Sequence, residues 1–472
     1  MHKRLITFAV LSLLHLEAGQ KPYAPHGIMD GNRKPPQRIE STEDQSQGMQ
    51  KIKYLIIIFQ ENWSFDALYG KFPGANGLSK ASLESQQQVD LSGQPYPFLP
   101  TCIDVKKQMP YPQIPPQLPN APFDLQPYIP LSQKTGTLVH RFYQEQYQIN
   151  GGKMNAFAAW SNAAGFVMST YDVSNTSMGL LAKDYVLCDN WFHSCYGGSM
   201  CGVLWLFSAQ MPLWPNAPKE LIAKIMPSGA LIKDGIVSND GYAINDAEPF
   251  FPPYRANTPN QSRLPPQTSK TIGDLLSEKN VSWKWYAEGW DDAVKGNPDP
   301  SFVFHHQAPS YFQQYAPGTK QRQEHVADLT MLDQEINSGN FPSVVFIRAL
   351  DRNSEHPGEG TLLDGLTWCS SLIYKIQQSA IWNECAIIVT YDENGGRWDH
   401  VPPPVVDAFG PGTRVPALII SPFAKKGFVD HTSYETVSIL KFIEERWGLA
   451  SLSARDAAAN NILNAFDFTQ NQ

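Results

Sequence analysis

The sequence predicts an α/β fold in which a mostly parallel central sheet carries helices on both faces. Short runs of Val, Ile and Ala recur along the chain, and uninterrupted runs of this kind are typical of strands buried on both faces. Segments with helical periodicity separate the runs, and this alternation favours parallel strands joined by helices. The chain has 472 residues and no clear internal linker. We therefore expect one large domain that carries long insertions.

The first residues have the layout of a secretory signal peptide. A basic start, Met1-His2-Lys3-Arg4, precedes a mostly apolar run from Leu5 to Leu16, and small residues follow at Ala18 and Gly19. The run is too short to span a membrane, and we expect no transmembrane segment in the mature chain. We predict a signal peptide over residues 1–20. The alternative interpretation is a buried or disordered N-terminal helix.

The rest of the chain is predicted to consist of a loose polar arm over residues 21–50 and a folded domain over residues 51–472. In chain order, the hydrophobic pattern predicts strands over residues 53–59, 186–188, 343–347, 386–391 and 417–420, and helices over residues 200–209, 362–379 and 434–447. Insertions are predicted near residues 94–130 and 215–320. Proline-rich stretches within them exclude regular helix and central strand, and we expect the insertions to form a cap beside the sheet.

Two of the predicted strands end abruptly in oxygen ligands. Glu61-Asn62 follows the first strand, and Asp392-Glu393 follows the strand over residues 386–391. In open α/β sheets, ligands bind just beyond the carboxyl ends of the strands. Carboxylates from two strands could converge there on one cation. This pattern makes a metal-assisted hydrolase the leading hypothesis.

A third segment, Gly197-Gly198-Ser199, precedes an apolar helix. Two glycines allow a sharp turn and a close approach of the backbone to a ligand. Ser199 is thereby placed at a helix N-terminus, where free N–H groups favour an anion such as phosphate. A serine in this position is a nucleophile if a metal lowers its pKa. The competing interpretation is that Ser199 only caps the helix.

Histidines are the remaining candidates for chemistry. A lone histidine is more often a structural residue than a catalyst. His356 is the stronger candidate, because Pro357-Gly358 makes its segment a turn after the strand over residues 343–347. That position is again at the carboxyl edge of the sheet. His400 follows Asp392 by eight residues and is a candidate for supporting the ligands.

Composition and cysteine content narrow the class of protein. The net charge of −8 argues against a nucleic-acid partner, because phosphate backbones are bound by basic surfaces. None of the six cysteines forms a C-x-x-C pair, which weakens the case for a thiolate zinc site. Cys195 and Cys201 flank Ser199 and could pair in an oxidising compartment if their geometry allows it.

Several motifs occur in one order along the chain: Glu61-Asn62-x-Ser64-Phe65-Asp66, His140-Arg141-Phe142-Tyr143-Gln144, Ile149-Asn150-Gly151-Gly152, Gly197-Gly198-Ser199, Glu355-His356-Pro357-Gly358, Tyr391-Asp392-Glu393-Asn394-Gly395-Gly396 and Asp399-His400-Val401-Pro402-Pro403. In this order they resemble the bacterial phospholipase C/acid phosphatase family of phosphoesterases, a branch of the alkaline-phosphatase-like superfamily. The resemblance covers residues 51–447 and implies an alkaline-phosphatase-like fold. Together with the predicted signal peptide, it leads us to expect a secreted or periplasmic bacterial enzyme.

The resemblance also implies a set of site residues. One divalent metal would be held by Glu61, Asn62, Ser199, Asp392 and Glu393, and Ser199 would form a phosphoserine intermediate. His140, His306 and His356 would line the phosphate pocket, with His305 and His325 as substitutes for His306. Oxygen ligands suit Mg, Ca or Mn, and zinc also accepts carboxylates. Family precedent favours zinc.

The chain departs from the family pattern in one place. Relatives of this type often carry Asn-His a few residues after Gly-Gly-Ser, whereas Gly202-Val203 stands here. The departure bears on substrate preference rather than on the metal ligands. It is also the support for a second hypothesis, a catalytically impaired relative that binds a phosphorylated ligand. A third hypothesis is a secreted interaction protein without catalysis, supported by the proline-rich insertions.

For an active enzyme, two substrate classes remain open. A phospholipase C would cleave phosphodiester headgroups such as that of phosphatidylcholine, and an acid phosphatase would hydrolyse small phosphate monoesters. Aromatic residues in one segment, Trp283, Trp285, Tyr286 and Trp290, could bind a quaternary ammonium or contact a membrane surface. Ordinary core packing is the interpretation we favour for most of them. Of the two activities we favour phospholipase C, and acid phosphatase is the alternative.

Overall fold

A computed structural model describes residues 43–226 and 230–470. The predicted signal peptide and most of the predicted arm lie outside these residues. The described end of the arm is helical, since Glu43–Gly48 forms an α-helix and Met49–Lys51 a 3₁₀ turn. Gly48 and Met49 are buried, so this part of the segment packs on the domain and is not loose.

A central sheet of eight strands organises the domain. In chain order its strands are β1 (Tyr54–Gln60), β2 (Val186–Cys188), β3 (Trp283–Ala287), β4 (Val326–Asp328), β5 (Val344–Arg348), β6 (Cys385–Tyr391), β7 (Ala417–Ile420) and β8 (Phe428–Asp430). Their spatial order is β4-β3-β5-β1-β6-β7-β2-β8. Only β7 runs against the others. The predicted mostly parallel sheet is therefore confirmed.

The described residues contain thirteen α-helices. In chain order they are α1 (Glu43–Gly48), α2 (Phe65–Tyr69), α3 (Leu83–Gln86), α4 (Phe142–Ile149), α5 (Ser177–Asp184), α6 (Ser199–Ser208), α7 (Ile272–Glu278), α8 (Trp290–Val294), α9 (Lys320–His325), α10 (Leu332–Ser338), α11 (Leu362–Gln377), α12 (Val437–Trp447) and α13 (Ala454–Ala458). Side-chain oxygens begin several of them, as Ser64 does for α2 and Thr361 for α11. No described helix combines the length and the apolar character that crossing a bilayer requires.

Helices cover both faces of the sheet. Phe207 of α6 packs on Trp285 and Phe346, which are paired in register between β3 and β5. Successive strand residues point to opposite faces, and on the other face Gln60 donates to Glu355. Glu355 in turn packs against α11, where a Cβ at Gly365 would lie 2.4 Å from Glu355 Cγ. Thus α6 and α11 lie on opposite sides of the strands, as the sequence predicted.

One predicted boundary is wrong. The insertion near residues 215–320 was expected to lie outside the sheet, yet β3 lies within this range and pairs with β4 and β5. The aromatic side chains explain the error, because Trp283, Trp285 and Tyr286 are almost fully buried core residues of β3. They are β-formers packed in the sheet and not part of an irregular segment. Ordinary core packing is thus confirmed for them.

Outside the central sheet, the described residues form short strand pairs. These are Ile103–Asp104 with Met109–Pro110, Phe123–Asp124 with Ser169–Thr170, Trp191–Phe192 with Tyr434–Glu435, Lys224–Ile225 with Leu231–Lys233, and Glu248–Pro249 with Arg263–Leu264. The residues near 94–130 thus contain only two-residue strands. This agrees with the high proline content, which prevents longer regular elements.

Candidate active site

The register of the sheet brings the two strand-end motifs together. Gln60 of β1 is the partner of Tyr391 of β6, so Glu61-Asn62 and Asp392-Glu393 leave the sheet side by side. Asn62 turns with a φ of 64°, and its N–H donates to Asp392 Oδ1 at 3.2 Å. All four residues are buried. The convergence that the strand ends predicted is therefore present.

Ser199 lies over these residues at the start of α6. Gly198 occupies the N-cap position, so the interpretation of Ser199 as the helix cap is wrong. Ser199 Oγ donates to Glu61 Oε2 at 3.3 Å and to Asn62 Oδ1 at 3.4 Å. The hydroxyl is nearly inaccessible, with 2% of the residue exposed. The structure thus joins Ser199 directly to two of the predicted metal ligands.

A buried glutamate holds the turn before Ser199. Gly197 has a φ of 100°, and its N–H donates to Glu145 Oε2 at 2.9 Å. Glu145 Oε1 lies 2.8 Å from His193 Nε2 and also accepts from the Thr413 N–H. Burial raises the pKa of Glu145, but His193 and the backbone N–H groups outweigh it and hold that pKa below its usual range. An ionised Glu145 therefore fixes the glycine turn.

Arg348 is a site residue that the sequence analysis missed. Its Nη1 donates to Phe59 O at 2.7 Å, its Nη2 binds Glu61 Oε1, and Nη2 lies 3.5 Å from Asp392 Oδ2. The side chain is 1% exposed. Arg348 is the last residue of β5, which neighbours β1, so the same strand-end argument that found Glu61 applies to it.

The carboxylates in this group are not fully satisfied by the protein. Asp392 Oδ2 and Glu393 Oε1 are buried and have no hydrogen-bond partner. Burial raises the pKa of Glu393, and the neighbouring Asp392 raises it further. Burial likewise raises the pKa of Glu61, against the effect of Arg348. Three buried carboxylates face one guanidinium, and such an excess of negative charge is costly unless a cation balances it.

These observations fit a divalent metal. Hard cations are bound by carboxylate and amide oxygens, and the unpartnered oxygens of Asp392 and Glu393 offer two such ligand atoms. The oxygens of Glu61 and Asn62 meet at Ser199 Oγ. A divalent ion would therefore satisfy buried atoms that the protein leaves without partners.

Glu61 also belongs to a second possible metal group. Glu61, His306 and Asp351 each place one ligand atom within 4.8 Å of the others. His306 Nδ1 lies 2.9 Å from Glu61 Oε1. Burial raises the pKa of Asp351 to about 7. Asp351 follows β5 by three residues and was not among the sequence candidates.

The two other predicted histidines, His140 and His356, also lie beside the carboxylates or the loops that hold them, as His306 does. His140 Nδ1 lies 2.6 Å from Leu138 O, and its Nε2 lies 3.8 Å from Glu393 Oε1. His356 Nδ1 lies 2.9 Å from Pro357 O. In both rings a backbone carbonyl at Nδ1 fixes the proton there. Burial lowers the pKa of both histidines, which favours neutral rings whose Nε2 accepts.

The two histidines considered as substitutes for His306 lie in different parts of the structure. His305 Nε2 lies 3.9 Å from Asp246 Oδ2, and the two rings of His305 and His306 are 4.6 Å apart. His305 and His306 therefore both belong to the site region. His325 stacks on Trp283 at 4.2 Å and its Nδ1 lies 2.9 Å from Trp283 O. It is a structural residue of β3 and α9.

His400 belongs to a separate buried network. Asp66 Oδ2 lies 2.6 Å from His400 Nδ1, and Arg414 donates to Asp399 Oδ1 at 2.8 Å and to Asp66 Oδ1 at 3.1 Å. Asp66, Asp399 and His400 are close enough to hold an ion. However, the Arg414 guanidinium already occupies the cation position, and every carboxylate oxygen has a donor. We therefore infer that this network stabilises the loops and does not bind a metal, and we call it the scaffold network.

The Gly202 departure has a steric explanation. A Cβ at Gly202 would lie 2.5 Å from the backbone oxygen of Asp392. Helix α6 thus approaches the end of β6 more closely than any side chain at this position allows. Where the family pattern implies an Asn-His pair, α6 packs closely against the end of β6.

The cysteines beside Ser199 are free thiols in this structure. Cys195 and Cys201 are both buried. Burial raises the pKa of Cys195 well above its usual range, and a hydrogen bond with Cys201 raises it further. The pairing considered from the sequence is not formed, and the thiols act as core residues.

The geometry places a serine hydroxyl at a helix N-terminus beside buried carboxylates that are suited to a divalent metal. A family model described as Phosphoesterase family matches residues 52–450. The match covers most of the chain. The chain belongs to the phosphoesterase family.

Curated relatives carry phospholipase C names. The chain is 26% identical over 319 residues to phospholipase C B of Mycobacterium tuberculosis, covering 61% of this chain and 54% of that protein. It is 24% identical over 475 residues to phospholipase C A of the same organism, covering 88% and 77%. It is 21% identical over 461 residues to the non-hemolytic phospholipase C of Pseudomonas aeruginosa, covering 89% and 58%. The chain thus spans about half the length of the first of these relatives.

Solved structures are similar at a lower level. A protein of the alkaline phosphatase superfamily from Vibrio parahaemolyticus has a TM-score of 0.35 and 12% identity, covering 61% of this chain and 63% of that one. The PsFucS1 sulfatase from Pseudoalteromonas has a TM-score of 0.38 and 8% identity, covering 90% and 76%. At these scores the likeness carries no argument about this site.

Proposed function

We propose that the protein is a secreted, metal-dependent phosphoesterase of the phospholipase C type. The observation that carries the proposal is Ser199 Oγ, which meets Glu61 and Asn62 at the N-terminus of α6, beside the unpartnered oxygens of Asp392 and Glu393. A nucleophile, a place for a cation and a helix N-terminus that favours phosphate thus coincide. The phospholipase C names of the curated relatives support the substrate class.

One divalent metal would be held by Glu61, Asn62, Ser199, Asp392 and Glu393, with zinc the first choice and Ca, Mg or Mn the alternatives. The chemistry that such an ion supplies is Lewis acidity, which lowers the pKa of a serine hydroxyl and polarises a phosphoryl oxygen. Arg348 holds Glu61 through a buried ion pair and so orients that ligand.

Ser199 acts as the nucleophile in the proposed reaction. Its Oγ gives its proton to a neutral histidine and forms a bond to phosphorus, and the bond between phosphorus and the glycerol oxygen breaks. The leaving alkoxide takes a proton from a histidine, which yields diacylglycerol and a phosphocholine ester of Ser199. A water oxygen then forms a bond to phosphorus, the bond between Oγ and phosphorus breaks, and one water proton passes through a histidine to Oγ, which releases phosphocholine and regenerates the serine hydroxyl.

His140, His306 and His356 are the proposed phosphate-pocket histidines. His140 and His356 receive carbonyl contacts at Nδ1, which leaves Nε2 to exchange protons with substrate oxygens. Because burial lowers the pKa of both rings from the usual 6.5, they become imidazolium only in more acidic solution than a free histidine does. An optimum on the acidic side follows if one of them must donate the proton.

Contact with a lipid surface is part of the proposal. The strand pair of Lys224–Ile225 and Leu231–Lys233 is anchored at its base by an ion pair between Asp234 and Arg141. Arg141 directly follows His140 in the chain. Met226 and Ile232 at this strand pair are 47% and 58% exposed. Exposed apolar side chains next to lysines suit a phospholipid interface. The strand pair would bring that interface to the site.

The experiment that tests the proposal compares hydrolysis of a chromogenic phosphocholine diester and the matching phosphate monoester. We expect chelator-sensitive turnover with preference for the diester. In Ser199→Ala the rate should fall on the order of 10⁴-fold or more, because the covalent route is lost. Ser208→Ala on the same helix is the control, since Ser208 only donates to Leu204 O.

Each outcome has a defined meaning. Preference for the monoester would replace phospholipase C by acid phosphatase. Full activity in Ser199→Ala would remove Ser199 as the nucleophile. If metal-loaded wild type turns over neither ester, the proposal fails and a phosphate-binding relative takes its place, which binding of inorganic phosphate by calorimetry would show.

A further inference from the structure

Asp246 is an acidic side chain at the nucleophile that neither the motifs nor the proposed metal ligands include. Its Oδ1 accepts from the N–H of Met200, the residue after Ser199, at 3.0 Å. A Cβ at Gly198 would lie 2.9 Å from Asp246 Oδ1 and 3.0 Å from Oδ2. The carboxylate thus lies against the turn that presents Ser199, at the helix end where a phosphate is expected.

The surroundings show which way Asp246 faces. His305 Nε2 lies 3.9 Å from Oδ2. Electrostatic interactions join Asp246 to His140, His356 and Glu393. Unlike the metal-binding carboxylates, which are fully buried, the Asp246 side chain is 36% exposed. It therefore borders the accessible side of the histidine group and not the buried metal side.

A negative charge here is not needed to build the helix. One acceptor for the Met200 N–H suffices for α6, and an asparagine or serine would supply it. A carboxylate close to a phosphate site is unfavourable toward the phosphate itself, because like charges a few ångströms apart in partly solvated surroundings repel strongly. Its presence therefore bears on which phosphate ester is accepted.

The two candidate substrate classes differ in charge. A phosphate monoester carries about −1.5 to −2 at neutral pH, whereas a diester carries one negative charge. A headgroup such as choline also adds a fixed positive charge. Repulsion from a carboxylate is thus larger for the monoester, and attraction to the cationic headgroup partly or fully offsets it for the diester.

We propose that Asp246 is a specificity-determining residue that disfavours phosphate monoesters and favours diesters with a cationic headgroup. The inference rests on the proposed function and deepens it, because it assigns the choice between phospholipase C and acid phosphatase to one side chain. The Met200 N–H fixes Oδ1 of the carboxylate, and His305 Nε2 lies 3.9 Å from Oδ2 at the rim. The remaining face is open to substrate.

The test uses Asp246→Asn, which keeps an acceptor for the Met200 N–H but removes the charge. The ratio of kcat/KM for a chromogenic phosphocholine diester to that for the matching monoester is measured at pH 7.5. We expect this ratio to fall about tenfold or more, a change that one unit charge at short range readily supplies. A diester with an uncharged headgroup should respond less than the phosphocholine diester. Asp333→Asn is the control, an exposed aspartate paired with Lys375.

A second readout separates charge from folding. Inorganic phosphate should inhibit Asp246→Asn more strongly than wild type, because the repulsive charge is gone, whereas mere damage to the turn would weaken inhibition. An unchanged ratio together with unchanged or weaker inhibition overturns the inference. If wild type hydrolyses both esters and neither the ratio nor the inhibition by phosphate changes in Asp246→Asn, the proposed function stands and Asp246 is a helix acceptor alone. If wild type hydrolyses neither ester, the proposed function and the inference fail together.

Discussion

Two buried groups of carboxylates lie next to each other at the carboxyl edge of the sheet, and the same two chain segments supply both. The metal-ligand group comprises the proposed ligands Glu61, Asn62, Ser199, Asp392 and Glu393, together with Arg348, which contacts Glu61 and Asp392. The scaffold network comprises Asp66, Asp399, His400 and Arg414. In the scaffold network every carboxylate oxygen accepts a hydrogen bond. In the metal-ligand group, Asp392 Oδ2 and Glu393 Oε1 have none.

The difference shows how function is recognised in a buried polar cluster. Both groups combine acidic residues with an arginine, and both follow a strand end. The scaffold network balances its own charge, so it stabilises the loops without a ligand. The metal-ligand group is left with excess negative charge and unsatisfied atoms, a state that is rare in native proteins and that a bound cation would relieve.

The sharpest way to break this comparison is to remove the arginine from each group. Arg414→Met leaves Asp66 and Asp399 buried without a counter-charge, and we expect the free energy of unfolding to fall by about 3–5 kcal/mol. Arg348→Met should also destabilise the metal-free protein, but added divalent metal should recover much of that loss. Urea unfolding of both variants, with chelator and with metal, measures this. Recovery of Arg414→Met by metal would mean that the scaffold network also binds an ion.

Glu355 is a buried carboxyl in a third kind of environment, which is intermediate between those of the two groups. It accepts from Gln60 Nε2 at 3.1 Å and from the Tyr391 hydroxyl at 2.6 Å, and no cation pairs with it among the contacts of the described residues. Burial raises its pKa from 4.5 to about 7, against the two hydrogen bonds. It is therefore protonated in the folded state in mildly acidic solution.

The pH dependence that follows has a definite sign. The pKa of Glu355 is higher in the folded state than in the unfolded state, so protonation of its carboxyl stabilises the fold. This contribution to the free energy of unfolding is complete below pH 4.5 and is lost as the pH rises through about 7. Between pH 5 and pH 8 the free energy of unfolding of wild type should fall by roughly 2–3 kcal/mol relative to that of Glu355→Gln, which cannot ionise. Urea unfolding at both pH values tests this. Parallel curves for the two proteins would show that Glu355 is ionised in the fold.

The strand-end residues were predictable from the sequence because their placement is a consequence of sheet topology. Glu61 and Asp392 follow continuous apolar runs, and parallel neighbours end at the same edge. The Gly197-Gly198 turn likewise placed Ser199 at a helix start. Each of these signals is local, and the fold preserves it.

The rest of the site depends on contacts distant in sequence. Asp246 reaches the turn before α6, and His305 reaches Asp246, only through the path of a long insertion. The insertion has no periodicity that reveals its position. β3 was missed because its aromatic residues were considered as possible ligand contacts within a proline-rich region. Nothing in the sequence distinguished Asp66 and Asp399 from ligands, since the difference lies in Arg414, which pairs with them in space.

A smaller effect distinguishes the two metal positions that share Glu61. Asp392→Asn should weaken binding of a divalent metal on the order of 100-fold, since it removes a proposed ligand. Asp351→Asn should change the affinity by less than about threefold. Titration calorimetry with Zn²⁺ on the folded proteins gives both values. The reverse result would place the ion in the group of Glu61, His306 and Asp351.

The smallest expected effect concerns the distance between α6 and the metal-ligand group. In Gly202→Ala the new methyl would lie 2.5 Å from Asp392 O, so α6 must shift away from the end of β6. Overpacking of this kind costs about 1–3 kcal/mol. Because the shift carries Ser199 away from Asp392, turnover should fall more than it does in Ser208→Ala, while the scaffold network stays intact. Thermal unfolding and diester kinetics measure the two effects. Unchanged activity in a destabilised Gly202→Ala would show that the close approach of α6 contributes to packing alone. The position of α6 would then not compensate for the missing Asn-His pair.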